Sequence, residues 1–373
     1  MSMSSTAERF RADHVGSLLR PGHLKLAREA FARRSIDGAA LRSAEDEAIR
    51  AAVKLQEDIG LPVVTDGELR RTFWHLDFLT SFENVERVAP TVKARFHSHH
   101  GDLDVEAHGL RVVGKLKRVA PIFVRDFSYL RSVTKAVPKI TIPSPSIMHF
   151  RGGRAAIDSQ AYPDLEEFYS DLGRVFSEEI VDLGRAGCTY LQIDDTNFAY
   201  LCDPAIRAQV RERLNTDPDQ LLRTYIRLIN AALANKPADM RVMLHVCRGN
   251  YRSAWAAEGG YEPVAEALFN DTNVDGFFLE YDDARSGSLA ALRFLPKGKV
   301  AVLGLVTTKS GELETPEEIQ ARIIEASRYA PLEQLALSPQ CGFASTCEGN
   351  TLSEEDQRRK LALVVEVARR VWH

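Results

Sequence analysis

The sequence has 373 residues, 45% of them hydrophobic and 27% charged, which is the make-up of a folded globular chain. Its 48 basic and 52 acidic residues give a formal net charge of -4 and are spread along the chain, so the basic stripe of a nucleic-acid binder is excluded. No apolar run approaches the roughly 20 residues of a membrane-spanning helix. The opening MSMSSTAERFRADHVG lacks the apolar core of a signal peptide, so no membrane partner and a cytoplasmic location are expected.

Short apolar, β-branched runs recur along the chain. The weakest is RADHVGSLL (11–19), and LPVVTDGEL (61–69) follows it. The polar, turn-punctuated stretch 84–118 breaks the rhythm and reads as an inserted β-hairpin. Strand-like runs resume at VPKITIPSPSIM (137–148), TYLQIDD (189–195), RVMLHVC (241–247) and VDGFFLEYDD (274–283). KVAVLGLVTTK (299–309) and EQLALSPQCG (333–342) complete a set of eight. The runs are continuous rather than alternating, as parallel strands buried on both faces are.

Helices are predicted between them. Residues 164–187 carry apolar positions three and four apart and stop at Gly187. Residues 217–237 start at a capping Asp217 and end before Pro237. Thr315, Pro316 and Glu318 form a capping-box signal for 315–331, and Ser353 with Asp356 repeats it for 353–372. Strands alternating with helices over this length predict an α/β fold, a (β/α)8 TIM barrel forming one catalytic domain over 1–373. The hairpin 84–118 is expected after strand 2, as a flap over one mouth. An open doubly wound sheet is the competing architecture, but neither G-x-G-x-x-G nor a Walker loop is present.

The C-terminal ends of the strands collect polar side chains. They are Asp66 and Glu68; Asp194 and Asp195; His245 and Cys247; Glu280, Asp282 and Asp283; Thr307, Thr308 and Lys309; and Cys341. In a barrel these ends share the face where active sites sit. His245 and Cys247 are two apart on a strand, so they point the same way. With Glu280 and Cys341 they make a nitrogen, sulfur and carboxylate set that suits zinc better than magnesium or calcium. Buried structural thiols beside a hydrogen-bonded histidine are the other reading. An odd number of cysteines in a reducing compartment argues against a disulfide framework. Cys188, Cys202 and Cys347 are expected to be structural.

The ordered segments DHVGSLLRP, VTDGE, LQIDD, LHVC, LE and SPQCG, over residues 11–350, resemble the catalytic barrel of cobalamin-independent methionine synthase. They look like that family's I-G-S, H-G-E, Q-I-D-E, H-x-C, I-E and P-D-C-G motifs, in a single-barrel form. The resemblance implies a Zn2+ site of His245, Cys247, Glu280 and Cys341 that binds a substrate thiol. It also implies that Gly16 and Ser17 hold an amino-acid carboxylate and that Glu68 and Asp194 hold the homocysteine ammonium. His14 is expected at the mouth of the barrel. The implied activity is methyl transfer to homocysteine or a similar small thiol.

The sequence departs from the long enzymes in three places. Lys309 stands where they carry a histidine after strand seven, and could donate a proton or hold an anion. SPSIMHFRGG offers Met148, His149 and Phe150 where they carry a tryptophan, so His149, Phe150 and Arg154 are the candidates for holding the methyl donor. Tyr200 falls near the place of an acidic residue. The donor is left open among methyltetrahydrofolate, a methylated corrinoid protein and a small methylated metabolite. An epoxyalkane:coenzyme M-type thiol alkyltransferase is the alternative activity, and a non-catalytic barrel binding module is a second. TFWHLDF (72–78) reads by default as core packing, and otherwise as an aromatic lining or a partner-facing patch. His97, His99 and His100 read as a solvated loop rather than a second metal site.

Overall fold

The structure, a computed structural model, describes residues 10–98 and 101–372. Ten strands are described: β1 (Val63–Val64), β2 (Glu83–Phe96), β3 (Leu103–Lys117), β4 (Val137–Pro138), β5 (Ile140–Pro143), β6 (Tyr190–Asp195), β7 (Arg241–Val246), β8 (Gly276–Glu280), β9 (Val300–Val306) and β10 (Leu335–Pro339). Six of them form a parallel sheet in the order β10-β9-β8-β7-β6-β5. Parallel neighbours need crossovers, and helices such as Leu165–Arg185, Pro218–Ala232 and Pro316–Ala326 supply them.

The predicted capping signals act as expected: Asp217 accepts hydrogen bonds from backbone N–H groups of its helix, and Asp164 does the same without having been singled out in the sequence. Thr315 with Glu318, and Ser353 with Asp356, form reciprocal capping boxes. The Asp217 helix ends at Ala232, five residues short of Pro237.

The first two predicted strands are mostly not strands. Segment 11–19 contributes one parallel bridge, Ala12 to Leu337 on β10. Segment 61–69 contributes only β1, which pairs in parallel with β4. The reason is local. Gly16 (φ 134°), Gly67 (φ 67°) and Glu68 (φ 57°) turn the backbone out of the extended region. Between the two segments, Leu18 N–H donates to Gly67 O at 3.0 Å and Thr65 Oγ1 donates to Gly16 O at 2.6 Å. The third predicted strand is split between β4 and β5, and ends in the short helix Ile147–Phe150.

Side chains alternate between two cores. Leu191, Ile193, Leu244, Phe277 and Leu279 pack toward the helices. Val15, Val63, Tyr190, Met243, Phe278, Val302 and Ala336 form a separate interior cluster. The interior is also polar. Lys139 Nζ is 2.8 Å from Asp13 Oδ1 and 3.0 Å from Gln192 Oε1, and Tyr190 donates its hydroxyl to Asp13. All four side chains are buried.

β2 and β3 form an antiparallel hairpin over residues 83–117, one residue offset from the predicted insertion. Its end is tied back: His97 N–H donates to Trp255 O, and Trp255 N–H donates to His97 O. His97 is exposed and contacts Asp102 at 2.8 Å, whereas His99 and His100 lie outside the described residues. Among the described residues no helix is long and apolar enough to cross a membrane.

Candidate metal centre

β7 carries His245 inward, and Cys247 lies one residue past its end on the same side. Glu280 ends β8, and Cys341 follows β10. One ligand-type atom from each of the four lies within 4.8 Å of the others, and all four residues are buried. The two sulfurs are 3.5 Å apart and not bonded to each other. Two thiolates held about 2.3 Å from a tetrahedral zinc would sit about 3.8 Å apart, so the pair has metal-site spacing. Cys188 and Cys202 instead point their thiols at backbone carbonyls of Tyr190 and Phe198.

The histidine is oriented for the same purpose. His245 Nδ1 is 3.2 Å from Asp194 Oδ1, and a carboxylate can only accept, so Nδ1 carries the proton. In the neutral ring Nε2 is then a bare lone pair, 4.0 Å from Glu280 Oε1. It is buried and has no hydrogen-bond partner. An orphaned acceptor of this kind beside two thiols and a carboxylate fits a bound cation.

Electrostatics in the cluster are strongly mutual. Burial alone would raise the Glu280 pKa, but Lys309, Arg285 and His245 together hold it below the ordinary carboxylate value. The shared sulfur contact, reinforced by burial, pushes Cys247 well up. The same contact lowers Cys341. Burial opposes the charged form of His245, yet the Asp194 hydrogen bond and the charges of Cys341 and Glu280 raise it overall.

A cavity of about 260 Å³ opens onto His245, Cys247 and Cys341. Ser17, Glu68 and Asp194 line it. Glu68 Oε1 accepts from Thr141 Oγ1 at 2.8 Å and lies 3.7 Å from Arg71, while its Oε2 is buried without a partner. Burial raises the Glu68 pKa, against Arg71 and with the added push of Asp194. Phe73, Trp74 and His75 also line the cavity, which selects the aromatic-lining reading of that stretch. Phe96, Val105, Glu106 and His108 of the hairpin wall it from above the strand ends.

Several sequence candidates lie elsewhere. His14 and Gly16 are not in the lining, although their neighbours Val15 and Ser17 are. His14 is buried, and burial with the Lys139 charge brings its pKa down to about 3. Lys309 is set back from the cavity wall, with Nζ 3.5 Å from Asn250 Oδ1. His149, Phe150 and Arg154, the candidates for holding the methyl donor, do not line this cavity. His149 Nδ1 meets Tyr225 Oη at 2.9 Å, and Phe150 packs on Tyr200 and Tyr225. Arg154 donates to the carbonyls of Ile157 and Tyr162. The turn after β5 causes this: Ser146 bonds Asp195 and the short helix that follows buries these side chains among tyrosines. Arg151, the other arginine of FRGGR, reaches the cavity instead. Asn250, Tyr251 and Ser345, which also line it, sit in loops with no motif to mark them.

The family described as cobalamin-independent synthase, catalytic domain, matches residues 11–370. The chain belongs to this family. YxjH of Bacillus subtilis (strain 168), an uncharacterized protein, is 45% identical over 365 residues, covering 97% of this chain and 95% of that one. A methionine synthase of Pyrococcus abyssi is 26% identical over 308 residues, covering 81% and 77%. A solved Listeria monocytogenes structure, described as a candidate vitamin-B12-independent methionine synthase, superposes with a TM-score of 0.78 at 38% identity and 98% coverage of both chains.

Proposed function

We propose that the chain is a zinc-dependent thiol methyltransferase that methylates homocysteine, or a similar small thiol, to methionine. The observation that carries this is the buried set of His245, Cys247, Glu280 and Cys341, with His245 Nε2 orphaned and its Nδ1 bound to Asp194. His245, Cys247, Glu280 and Cys341 would hold the zinc ion, which would supply the acidity to ionise a substrate thiol whose ordinary pKa near 8.5 keeps it mostly protonated at pH 7. Asp194 fixes the ring that presents the nitrogen ligand. Glu68 and Asp194 offer two carboxylates on one cavity wall for an ammonium group, and Ser17 borders the same space for a carboxylate. The sulfur–carbon bond forms as the donor's bond to its methyl breaks, and the bonding pair leaves with the donor.

We place the whole chain in one barrel domain. Support comes from the bridge of segment 11–19 to β10, one edge of the six-stranded sheet, and from the separate β1–β4 pair, whose β4 leads after one residue into β5 at the other edge. The hairpin is its flap, consistent with its four cavity residues. Free cysteines suit the reducing cytoplasm. The coenzyme M-type alternative needs cations for a sulfonate. Arg154 is spent on carbonyls and Lys309 faces Asn250; Arg151 does line the cavity, but it shares it with the two carboxylates Glu68 and Asp194, which favour the ammonium of an amino-acid thiol.

The test is Cys341→Ser in the purified protein. The variant is expected to fold with wild-type circular dichroism, to lose stoichiometric zinc and to form no methionine from homocysteine in a donor screen. Retained zinc with full thiol-transfer activity sinks the ligand assignment.

A further inference from the structure

The polar interior reaches the metal centre through one side-chain amide. Gln192 and Asp194 are two apart on β6, and Tyr190 of the interior cluster is two before them, so all three share the inner face. Gln192 is fully buried and both ends of its amide are used. Its Oε1 is 3.0 Å from Lys139 Nζ, and its Nε2 is 2.7 Å from Asp194 Oδ1 and 2.5 Å from Val15 O.

Charge fixes which way this amide faces. An ammonium only donates, so the oxygen of Gln192 meets Lys139 and its two N–H groups meet the Asp194 carboxylate and the Val15 carbonyl. The reverse orientation sets oxygen against a carboxylate and N–H against an ammonium, with no water at hand to relieve either. Lys139 is itself pinned. It also donates to Asp13 Oδ1 at 2.8 Å and to His14 O, so its three protons are all committed.

The two N–H groups lead to different parts of the site. One reaches Asp194 Oδ1, the same oxygen that accepts from His245 Nδ1 at 3.2 Å. The other grips the backbone of Val15, which lines the cavity together with Ser17 two residues on. Gln192 itself is not in the cavity lining, so it acts through these neighbours.

We propose that Gln192, with its amide direction set by Lys139, is a positioning residue that holds the imidazole support of the metal centre and the substrate-facing segment in one register. The inference rests on the thiol-transfer reading above, and it makes metal affinity and thiol affinity depend on a single buried amide.

Zinc affinity is measured by chelator competition, and homocysteine affinity by calorimetry on zinc-loaded protein, for wild type, Gln192→Met and Tyr190→Phe. Methionine fills the glutamine's volume without its polar atoms. Tyr190→Phe removes the hydroxyl that donates to Asp13, a buried bond of the same network that leaves the three contacts of Gln192 in place. Gln192→Met is expected to weaken zinc binding by about 10-fold and to weaken homocysteine binding as well, while Tyr190→Phe leaves both within about twofold of wild type. Unchanged zinc affinity in a folded Gln192→Met protein overturns the proposal. So does an equal loss in Tyr190→Phe, which marks a general loosening of the interior. Weaker zinc binding with unchanged homocysteine binding overturns the link to the substrate segment.

The amide is also read without metal. In zinc-free wild type, the side-chain amide protons of Gln192, followed by nitrogen-15 NMR, should resist exchange with solvent, and should lose that protection in Lys139→Met combined with Asp13→Asn. Rapid exchange in the wild type, or protection that survives in the double variant, overturns the role given to Lys139. This measurement decides even if Gln192→Met fails to fold. A wild type that takes up no zinc defeats the thiol-transfer reading alone, since the exchange experiment is made on metal-free protein.

Discussion

Asp194 Oδ1 lies 3.2 Å from Nδ1 of His245 and 2.7 Å from Nε2 of Gln192, so one carboxylate oxygen is held from two sides. The residue also lines the cavity. A carboxylate behind a ligating imidazole raises its basicity and fixes its tautomer.

Asp194→Asn is therefore expected to weaken zinc binding by about 10- to 100-fold. Competition against a chromophoric chelator measures this without any turnover. An affinity within twofold of wild type would remove Asp194 from the support of the metal centre.

Acid sensitivity has a traceable source in His149. Burial lowers its pKa to about 4, from an unfolded value near 6.5. A depressed folded value means that the stability it contributes is full above pH 6.5 and is lost as pH falls toward 4. The loss amounts to about 3 kcal/mol over that window. In His149→Gln, which keeps a partner for Tyr225, the decline in unfolding free energy between pH 6.5 and 4 should be shallower by that amount. Denaturant melts at a series of pH values check it, and parallel curves for the two proteins refute it.

The interior ion pair of Lys139 and Asp13 is fully buried, so removing one partner strands the other. Lys139→Met should destabilise the fold by about 3–5 kcal/mol, and adding Asp13→Asn should recover part of it. Chemical denaturation of the single and double variants gives the comparison. A single variant as stable as wild type contradicts the role given to this pair.

The local signals were legible in the sequence. Capping residues at 217, 315 and 353 act within a few residues, so those helices begin where the sequence indicates. The spacing of His245 and Cys247 on one strand face was equally local. Bringing Glu280 and Cys341 to them needed the order of the sheet, and the alternation of strands and helices supplied that order. What could not be read is where a short turn sends its side chains. His149 and Phe150 are ordinary pocket candidates by type, but the Ser146–Asp195 contact rotates them into the tyrosine layer and leaves Arg151 facing the cavity. Segments 11–19 and 61–69 read as strands because apolar content dominates them. Positive φ at Gly16, Gly67 and Glu68 bends them toward the site instead.

His245 and Glu280 belong to neighbouring strands and Cys247 lies one residue past the first of them, whereas Cys341 follows the strand that Ala12 meets. That meeting is the seam where an early stretch of chain docks on a late one. A cation gripped by all four residues would then clasp β10 to β7 and β8 across the intervening β9, and would be available only once those strands have paired. Metal uptake during synthesis would mark the moment of assembly, and intermediates lacking the docked edge would be distinguishable by their inability to retain the ion.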